Sequence, residues 1–290
     1  MEKFTAPFLY WEEREIMKRR NRVKYICLLI ICLFLVFSFW QNNALVVSEY
    51  VFETDGIGKG LDGYKIVQIS DLHNKRFGKN QKRLVEKIRE CEPDIIVVTG
   101  DLVDSNHTDV DKAMEFIRGA VKLAPVYYVT GNHEKWLEEQ EEADLLKQLE
   151  QEGVICLNNK TEKIMVEDDG FLLLGLDDSN LMDGTLKEMA SGIEEQFTVL
   201  LAHEPQNLIQ YSTSHINLVL SGHAHGGQVR LPFIGGVVAP DQGFFPEYTE
   251  GLYEKNGTSM IVSRGLGNSI IPVRIFNRPE IVCIEMKKKR

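Results

Sequence analysis

Short apolar runs, each ending in acidic, amide or imidazole side chains, restrict the possible folds of this chain more than any other feature. In the first half such runs cover residues 64–69, 95–98 and 126–129, and segments with helical spacing separate them at 81–90 and 110–121. Apolar strands that alternate with helices are typical of an α/β fold in which helices cover the sheet. Because ligand-binding groups in such folds gather at the carboxyl ends of strands, the pattern predicts a site assembled from strand ends.

The second half of the chain is richer in strands. Residues 163–167 and 171–176 predict a hairpin that turns at residues 168–170. Further strands are expected at residues 44–54, 198–202, 216–220, 259–263 and 280–285. No internal repeat or low-complexity tract interrupts this pattern.

A glycine-rich turn at residues 221–228 carries two histidines, His223 and His225, separated by one residue. On an extended segment the side chains at i and i+2 point the same way, and the glycines let the backbone bend so that both rings converge. Two neutral imidazoles that converge form half of a metal site. The turn therefore predicts a metal centre whose other ligands come from elsewhere in the chain.

Five strand ends offer such ligands. They are Asp71 with His73, Asp101, Asn132 with His133, His203, and His223 with His225. Each motif alone is common, since a lone Asp after a strand often caps a helix. Five in succession indicate a shared function. The two remaining histidines, His107 and His215, are interpreted as ordinary polar residues.

The order of these motifs resembles the calcineurin-like metallophosphoesterase superfamily. It runs Asp-Leu-His at 71–73, Gly-Asp at 100–101, Gly-Asn-His-Glu at 131–134, His203, and Gly-His-Ala-His at 222–225. The resemblance extends from residue 64 to the C-terminus. Residues 222–232 and 273–279 are similar to the membrane-anchored bacterial branch of the superfamily, which includes phosphoesterases resembling UDP-diacylglucosamine pyrophosphatases.

This resemblance implies a four-layer α/β sandwich of two mixed β-sheets flanked by helices, with a two-metal site at the strand ends. The implied ligands are Asp71, His73 and His225 for the first metal, Asn132, His203 and His223 for the second, and Asp101 as the bridge between them. His133 is the implied catalytic residue, either protonating the leaving oxygen or hydrogen-bonding the phosphate. Glu134 either orients a ring or caps a helix, and Asp104 is assigned a structural role.

Oxygen and imidazole ligands without a thiolate suit Mn, Fe or Zn better than Ca, with Mg also compatible. Two such cations make a bridging hydroxide available near neutral pH, and this hydroxide attacks phosphorus. The expected function is therefore hydrolysis of a phosphomonoester, phosphodiester or pyrophosphate bond. The alternative is a non-catalytic metal-binding or scaffolding relative, which would be expected to have lost ligands or His133.

Residues 25–40 are free of charge and follow a cluster of Lys and Arg at residues 18–24. Tyr25 and Trp40 flank the segment as interfacial aromatic residues do. We expect an uncleaved signal anchor, with a cleaved signal peptide and a buried core helix as alternatives. The positive-inside rule places the N-terminus in the cytoplasm and the rest of the chain outside it, at the cell membrane. The expected division is a cytoplasmic segment 1–24, a transmembrane anchor 25–41, a linker with the first strand 42–60 and the phosphoesterase domain 61–290.

Composition restricts the partners. The net charge of −10 and the absence of a large basic stretch in the body of the chain argue against nucleic acid as a stable partner. The short tether at residues 41–63 keeps the domain near the bilayer, which favours lipid-linked or envelope phosphoesters while soluble substrates stay open. The aromatic segment 233–253 either borders an acyl-binding cleft or packs as ordinary core and loop.

Overall fold

The structure is a computed structural model that describes residues 6–177, 184–193, 195–268 and 273–289. Residues 1–5 of the expected cytoplasmic segment and Arg290 of the expected domain lie outside the described residues. The helices are α1 Ala6–Asn43, α2 Lys82–Glu90, α3 Val110–Ala120, α4 Asn132–Lys135, α5 Glu139–Gln151, α6 Thr185–Met189 and α7 Leu208–Ser212.

Strands make up most of the remainder. They are β1 Val46–Thr54, β2 Lys65–Ile69, β3 Ile95–Thr99, β4 Val126–Val129, β5 Ile155–Cys156, β6 Lys160–Val166, β7 Asp169–Gly175, β8 Thr198–Leu201, β9 Leu218–Ser221, β10 Arg230–Leu231, β11 Gly235–Gly236, β12 Val238–Ala239, β13 Gly243–Phe244, β14 Gly251–Lys255, β15 Thr258–Val262 and β16 Glu280–Lys288.

Two six-stranded mixed sheets dominate the domain. The first has the order β1-β16-β2-β3-β4-β5, in which only the β16–β2 pair is antiparallel. The second has the order β14-β15-β9-β8-β7-β6, with antiparallel pairs at its two edges. The central strands of both sheets are parallel, so their carboxyl ends lie at a common edge of each sheet.

The two sheets pack face to face, and helices cover their outer faces. Alternate residues of one strand serve both layers: Ile96 and Val98 of β3 join the cluster that includes α2, α3 and α5, whereas Val97 joins the cluster between the sheets. A third cluster joins the second sheet to α6 and α7, through Leu186 and Leu208. Burial on both faces explains why these strands are continuous apolar runs, and the expected four-layer α/β arrangement is confirmed.

The predicted hairpin is confirmed, but its predicted turn is wrong. Val166 pairs with Asp169, so the turn contains only Glu167 and Asp168, and β7 begins two residues earlier than expected. Two causes are visible. Glu167 adopts a left-handed conformation with φ 54°, and the Asp169 carboxylate accepts a hydrogen bond from the Gly60 amide, which fixes Asp169 in the sheet.

Helix α1 extends far beyond the charge-free segment at its N-terminal end and three residues beyond it at its C-terminal end. Its portion Arg14–Asn43 is long and apolar enough to cross a membrane, with a window of mean hydropathy 2.4 that is not buried against the protein. The C-terminal end of the helix contacts the domain, since the side chain of Gln41 is buried and its Oε1 accepts a hydrogen bond from the Asn277 amide at 3.2 Å.

Candidate metal centre

Five strand ends meet where the two sheets adjoin, and they bring together all seven side chains expected to bind metal. Asp71 and His73 follow β2, Asp101 follows β3, Asn132 follows β4, His203 follows β8, and His223 and His225 follow β9. All seven are buried. Bonds between the sheets fix the meeting point: Gln68 Nε2 donates to Ser221 O at 2.8 Å, and the His223 amide donates to Asp71 Oδ1 at 3.0 Å.

One group of four ligand-type side chains consists of Asp71, His73, Asp101 and His225, with ligand atoms all within 4.8 Å of one another. The Nε2 atoms of His73 and His225 are 3.2 Å apart. Asp101 Oδ2 lies 3.5 Å from Nε2 of His73, and Asp71 Oδ1 lies 3.5 Å from Nε2 of His225. This group could hold one cation.

A second group shares Asp101 with the first and adds Asn132, His203 and His223. Nε2 of His203 lies 3.2 Å from Asp101 Oδ2 and 3.0 Å from Asn132 Oδ1. Nδ1 of His223 lies 2.8 Å from Asn132 Oδ1 and 3.2 Å from Nε2 of His203. The same carboxylate oxygen of Asp101 thus faces both groups, as a bridge between two cations would.

The hydrogen-bond partners of the two rings in the second group show that a cation fits there. Nδ1 of His203 lies 2.7 Å from the Thr99 carbonyl, which only accepts, so Nδ1 carries the ring proton. Nε2 of His223 lies 2.9 Å from Asp241 Oδ2, which likewise accepts. With the ring protons on Nδ1 of His203 and Nε2 of His223, the inward nitrogens present lone pairs to the amide oxygen of Asn132. Lone pairs that converge without a shared proton repel one another unless a cation lies between them.

Burial and charge set the protonation states of the centre. Burial lowers the pKa of His73 and of His225, so both rings are neutral at physiological pH, which is the form that binds a metal. Burial alone would raise the pKa of Asp101, but the attraction and the hydrogen bond of His203 outweigh burial and hold it below its ordinary value. The bridging carboxylate is therefore ionised.

The backbone at the centre is strained. Asp71, His73, Asp101, His223 and His225 all have φ between 45° and 64°, the left-handed region. Such conformations cost about 1–3 kcal/mol per residue and concentrate at functional sites. Close approach also requires two glycines: a Cβ at Gly222 would lie 1.8 Å from Ser70 Oγ, and one at Gly131 would lie 2.4 Å from Asp101 Oδ1.

Glu134 organises the loops that carry Asp101 and Asn132. Its Oε2 accepts from the Asp101 amide at 2.9 Å and the Gly131 amide at 2.8 Å, and its Oε1 accepts from the Val103 amide at 3.1 Å. Burial and the neighbouring Asp101 carboxylate raise the pKa of Glu134 to about 8, against the lowering effect of the amide donors. Of the two roles considered for Glu134, the contacts show the capping of backbone amides.

His133 lies beside the first group of ligand-type side chains and contacts it through the ring of His73. Its ring packs edge-on against that of His73, with centroids 4.5 Å apart, and the centroid of the exposed Trp136 ring lies 4.8 Å from that of His133. Nδ1 of His133 accepts a hydrogen bond from the Ser105 amide at 3.2 Å. The ring proton of His133 is therefore on Nε2. Asp104 caps the adjacent turn by accepting from the Asn106 amide at 2.9 Å, which agrees with a structural role.

A sequence profile of the calcineurin-like phosphoesterase family matches residues 64–227. The metallophosphoesterase YkuE of Bacillus subtilis (strain 168) is 30% identical over 259 residues, covering 85% of this chain and 87% of that protein. A transmembrane protein with metallophosphoesterase domain from Danio rerio is 30% identical over 261 residues, covering 83% of this chain and 57% of that protein. The crystal structure of a dimetal phosphatase from Danio rerio aligns with a TM-score of 0.48 at 12% identity, covering 71% of this chain and 88% of that one.

Proposed function

Since this chain belongs to the calcineurin-like phosphoesterase family and is a metal-dependent phosphoesterase, we propose that it hydrolyses phosphomonoester, phosphodiester or pyrophosphate bonds at a centre of two divalent cations. The observation that carries the proposal is the convergence of imidazole nitrogens and carboxylate oxygens around Asp101 Oδ2, from both sheets. Two bound cations would lower the pKa of a water molecule and offset the charge that builds on the phosphate. The donor set suits Mn, Fe or Zn, with Mg compatible.

The proposed ligands divide along the two groups. Asp71, His73 and His225 hold the first cation, and Asn132, His203 and His223 hold the second. Asp101 binds both and offsets their mutual repulsion. Glu134 keeps the loop that carries Asp101 in place, since three backbone amides bind its carboxylate.

His133 supplies the proton for the leaving oxygen in this proposal. The Ser105 amide occupies Nδ1, so Nε2 is the atom that holds a transferable proton. The edge-on packing against His73 keeps the ring beside the first group. A positioned proton donor of this kind contributes about 10²–10⁴ in rate.

We also propose that α1 anchors the protein in the cell membrane with the domain outside the cytoplasm, and that the substrate phosphoester is attached to a lipid. The end of α1 is two hydrogen bonds from the metal centre: Asn277 donates its amide to Gln41 Oε1, and its Nδ2 donates to His225 O at 2.7 Å. A phosphoester at the lipid headgroup level lies close to such a site. Lipid pyrophosphates fit both the chemistry and the location.

The test replaces the bridging carboxylate in the full-length protein, reconstituted in phosphatidylcholine vesicles and loaded with Mn. Asp101→Asn keeps the shape of the side chain but removes the negative charge that lets two cations approach each other. We expect metal content to fall from two ions per chain to one or none, and hydrolysis of an aryl phosphate and of a lipid pyrophosphate to fall to background. Metal content is measured by elemental analysis and activity by phosphate release.

Two further variants make that result specific. Asp168→Asn makes the same change in the exposed turn between β6 and β7 and should leave metal content and activity as they are. His133→Gln should keep two metals while lowering kcat by about 10²–10⁴. Full activity of Asp101→Asn would overturn the two-metal proposal. Equal rates on soluble and lipid-linked esters would overturn only the substrate class.

A further inference from the structure

An exposed apolar surface borders the candidate metal centre. We call it the apolar rim, and its members are Leu231, Phe233, Ile234, Phe244, Phe245 and Phe276. Phe233 is completely exposed, and Phe244 and Phe245 are 77% and 68% exposed. Side chains this exposed are not packed in the core, and they do not line an enclosed cleft. A group of exposed aromatic residues of this kind marks contact with a partner or a membrane.

Backbone hydrogen bonds connect the parts of the rim to one another and to the metal centre. The Arg230 amide donates to Ile275 O at 2.9 Å, which ties the β10–β11 hairpin to the loop of Phe276. The Phe245 amide donates to Val237 O at 2.8 Å, and the Val237 amide donates to Gly227 O at 3.1 Å. The rim is therefore an extension of the turn that carries His225.

Contacts between the apolar rim and α1 show at which level along the axis of α1 the rim lies. The ring of Phe276 packs against Phe37 of α1, with centroids 5.6 Å apart, and the Arg278 guanidinium lies 5.1 Å from the centroid of the Trp40 ring. Phe37 precedes Trp40 by three residues, about 4–5 Å along a helix. If Trp40 marks the bilayer interface, Phe276 lies at the level of the first acyl carbons.

The backbone turns three rim aromatics away from the core. Phe233, Phe245 and Phe276 have φ of 68°, 55° and 51°. The left-handed region is unfavourable for bulky residues, so the surrounding hydrogen bonds must hold these conformations. The fold thus keeps three large apolar side chains in water at a cost in free energy, and contact with an apolar phase would offset that cost.

We propose that the apolar rim inserts into the surface of the same bilayer that α1 spans and gives the domain a second membrane attachment. Apolar faces of this kind enter about 5–10 Å, to the boundary between headgroups and acyl chains. Arg278 beside Trp40 would then lie among the lipid phosphates. The inference rests on the proposed membrane anchor α1 and goes beyond the proposed hydrolysis, because the attachment does not depend on which ester is hydrolysed. The depth of Phe276 along α1 favours lipid over a second copy of the chain as the occupant.

The experiment places a tryptophan in the rim of the full-length protein, as Phe233→Trp or Phe244→Trp, in phosphatidylcholine vesicles with or without bromine on the acyl chains. Subtracting the parent spectrum removes the signals of Trp11, Trp40 and Trp136. We expect emission from each added tryptophan to shift to the blue and to be largely quenched by brominated lipid. Fluorescence requires no catalysis, so this result stands or falls separately from the hydrolase proposal.

Met165→Trp is the matched control. Met165 is exposed at the end of β6, beside the start of β7, and therefore lies at the end of the second sheet opposite the metal centre. Its tryptophan should emit as in water and escape quenching. The proposal is overturned if rim tryptophans are quenched no more than this control. It is also overturned if they shift to the blue without bromine quenching and lose the shift on dilution of the protein among vesicles, because a second copy would then cover the rim.

Discussion

At the scale of single residues, Asp241 fixes the ring of His223. Its Oδ2 lies 2.9 Å from Nε2 of His223, and this hydrogen bond lowers the pKa of Asp241. The carboxylate holds the ring proton on Nε2 and leaves Nδ1 free for a cation. Carboxylate partners of this kind typically change metal affinity or activity by about 10- to 100-fold when they are mutated.

Asp241→Asn should therefore weaken binding of the second cation by about 10-fold or more, while the first cation binds as before. Asn tolerates the left-handed backbone at position 241, where φ is 55°, so the change tests the charge and not the turn. Calorimetric titration of the metal-free protein with Mn would show a larger difference in affinity between the two sites in the variant than in the parent protein. The same substitution at the exposed Asp55 is the control, and unchanged affinities in Asp241→Asn would contradict the role given to this residue.

At the scale of elements, Asn277 joins the loop before β16 to the turn after β9 and to α1. Its Nδ2 donates to His225 O at 2.7 Å and to Gln228 O at 3.0 Å, and the residue is fully buried. Removing the amide leaves two buried carbonyl groups without that donor. An unsatisfied buried group costs about 1–3 kcal/mol.

Asn277→Leu should lower the thermal midpoint of the protein in detergent micelles and also weaken binding of the first cation, because the backbone of His225 loses its support. Asn217→Leu is the comparison, since Asn217 Oδ1 accepts from the Thr198 amide at 2.8 Å just before β9, at the end of the sheet opposite the metal centre. It should lower the midpoint but leave metal affinity alone. Equal metal affinities in the two variants would show that Asn277 has only a general structural role.

At the scale of the whole molecule, the proposed placement of the domain outside the cytoplasm rests on the basic residues before the apolar segment of α1. Two reporters are fused separately to the C-terminus of the chain in bacterial cells. The β-lactamase fusion should confer resistance to a β-lactam, and the fusion to green fluorescent protein should not fluoresce. N-terminal fusions of the same reporters should give the reverse pattern. A bright C-terminal fusion without resistance would place the domain inside.

The sequence by itself determined the strand-end chemistry of this protein. Local sequence properties, such as the spacing of apolar residues and the polar residues that follow each strand, are visible without the fold. They were enough to predict five strands and the side chains after them, namely β2, β3, β4, β8 and β9. Helix α5 was missed because its many acidic residues hide a narrow apolar face of Leu145 and Leu149. The seven expected ligands do lie together, and their roles as ligands stay a prediction.

Only the tertiary structure decided which groups support that chemistry. Glu134 reaches the Asp101 amide across 33 positions of the chain, and Asn277 reaches His225 across 52. Asp241 and most of the apolar rim lie on or beside short hairpins whose sequence carries little strand signal, and Phe276 lies in the loop before β16. Contacts between residues distant in sequence depend on how the sheets and α1 pack. The local spacing of apolar and polar residues does not reveal that packing. The physical reason is that hydrogen bonding and burial are set by three-dimensional neighbours, whereas the polar ends of strands are set by the strand itself.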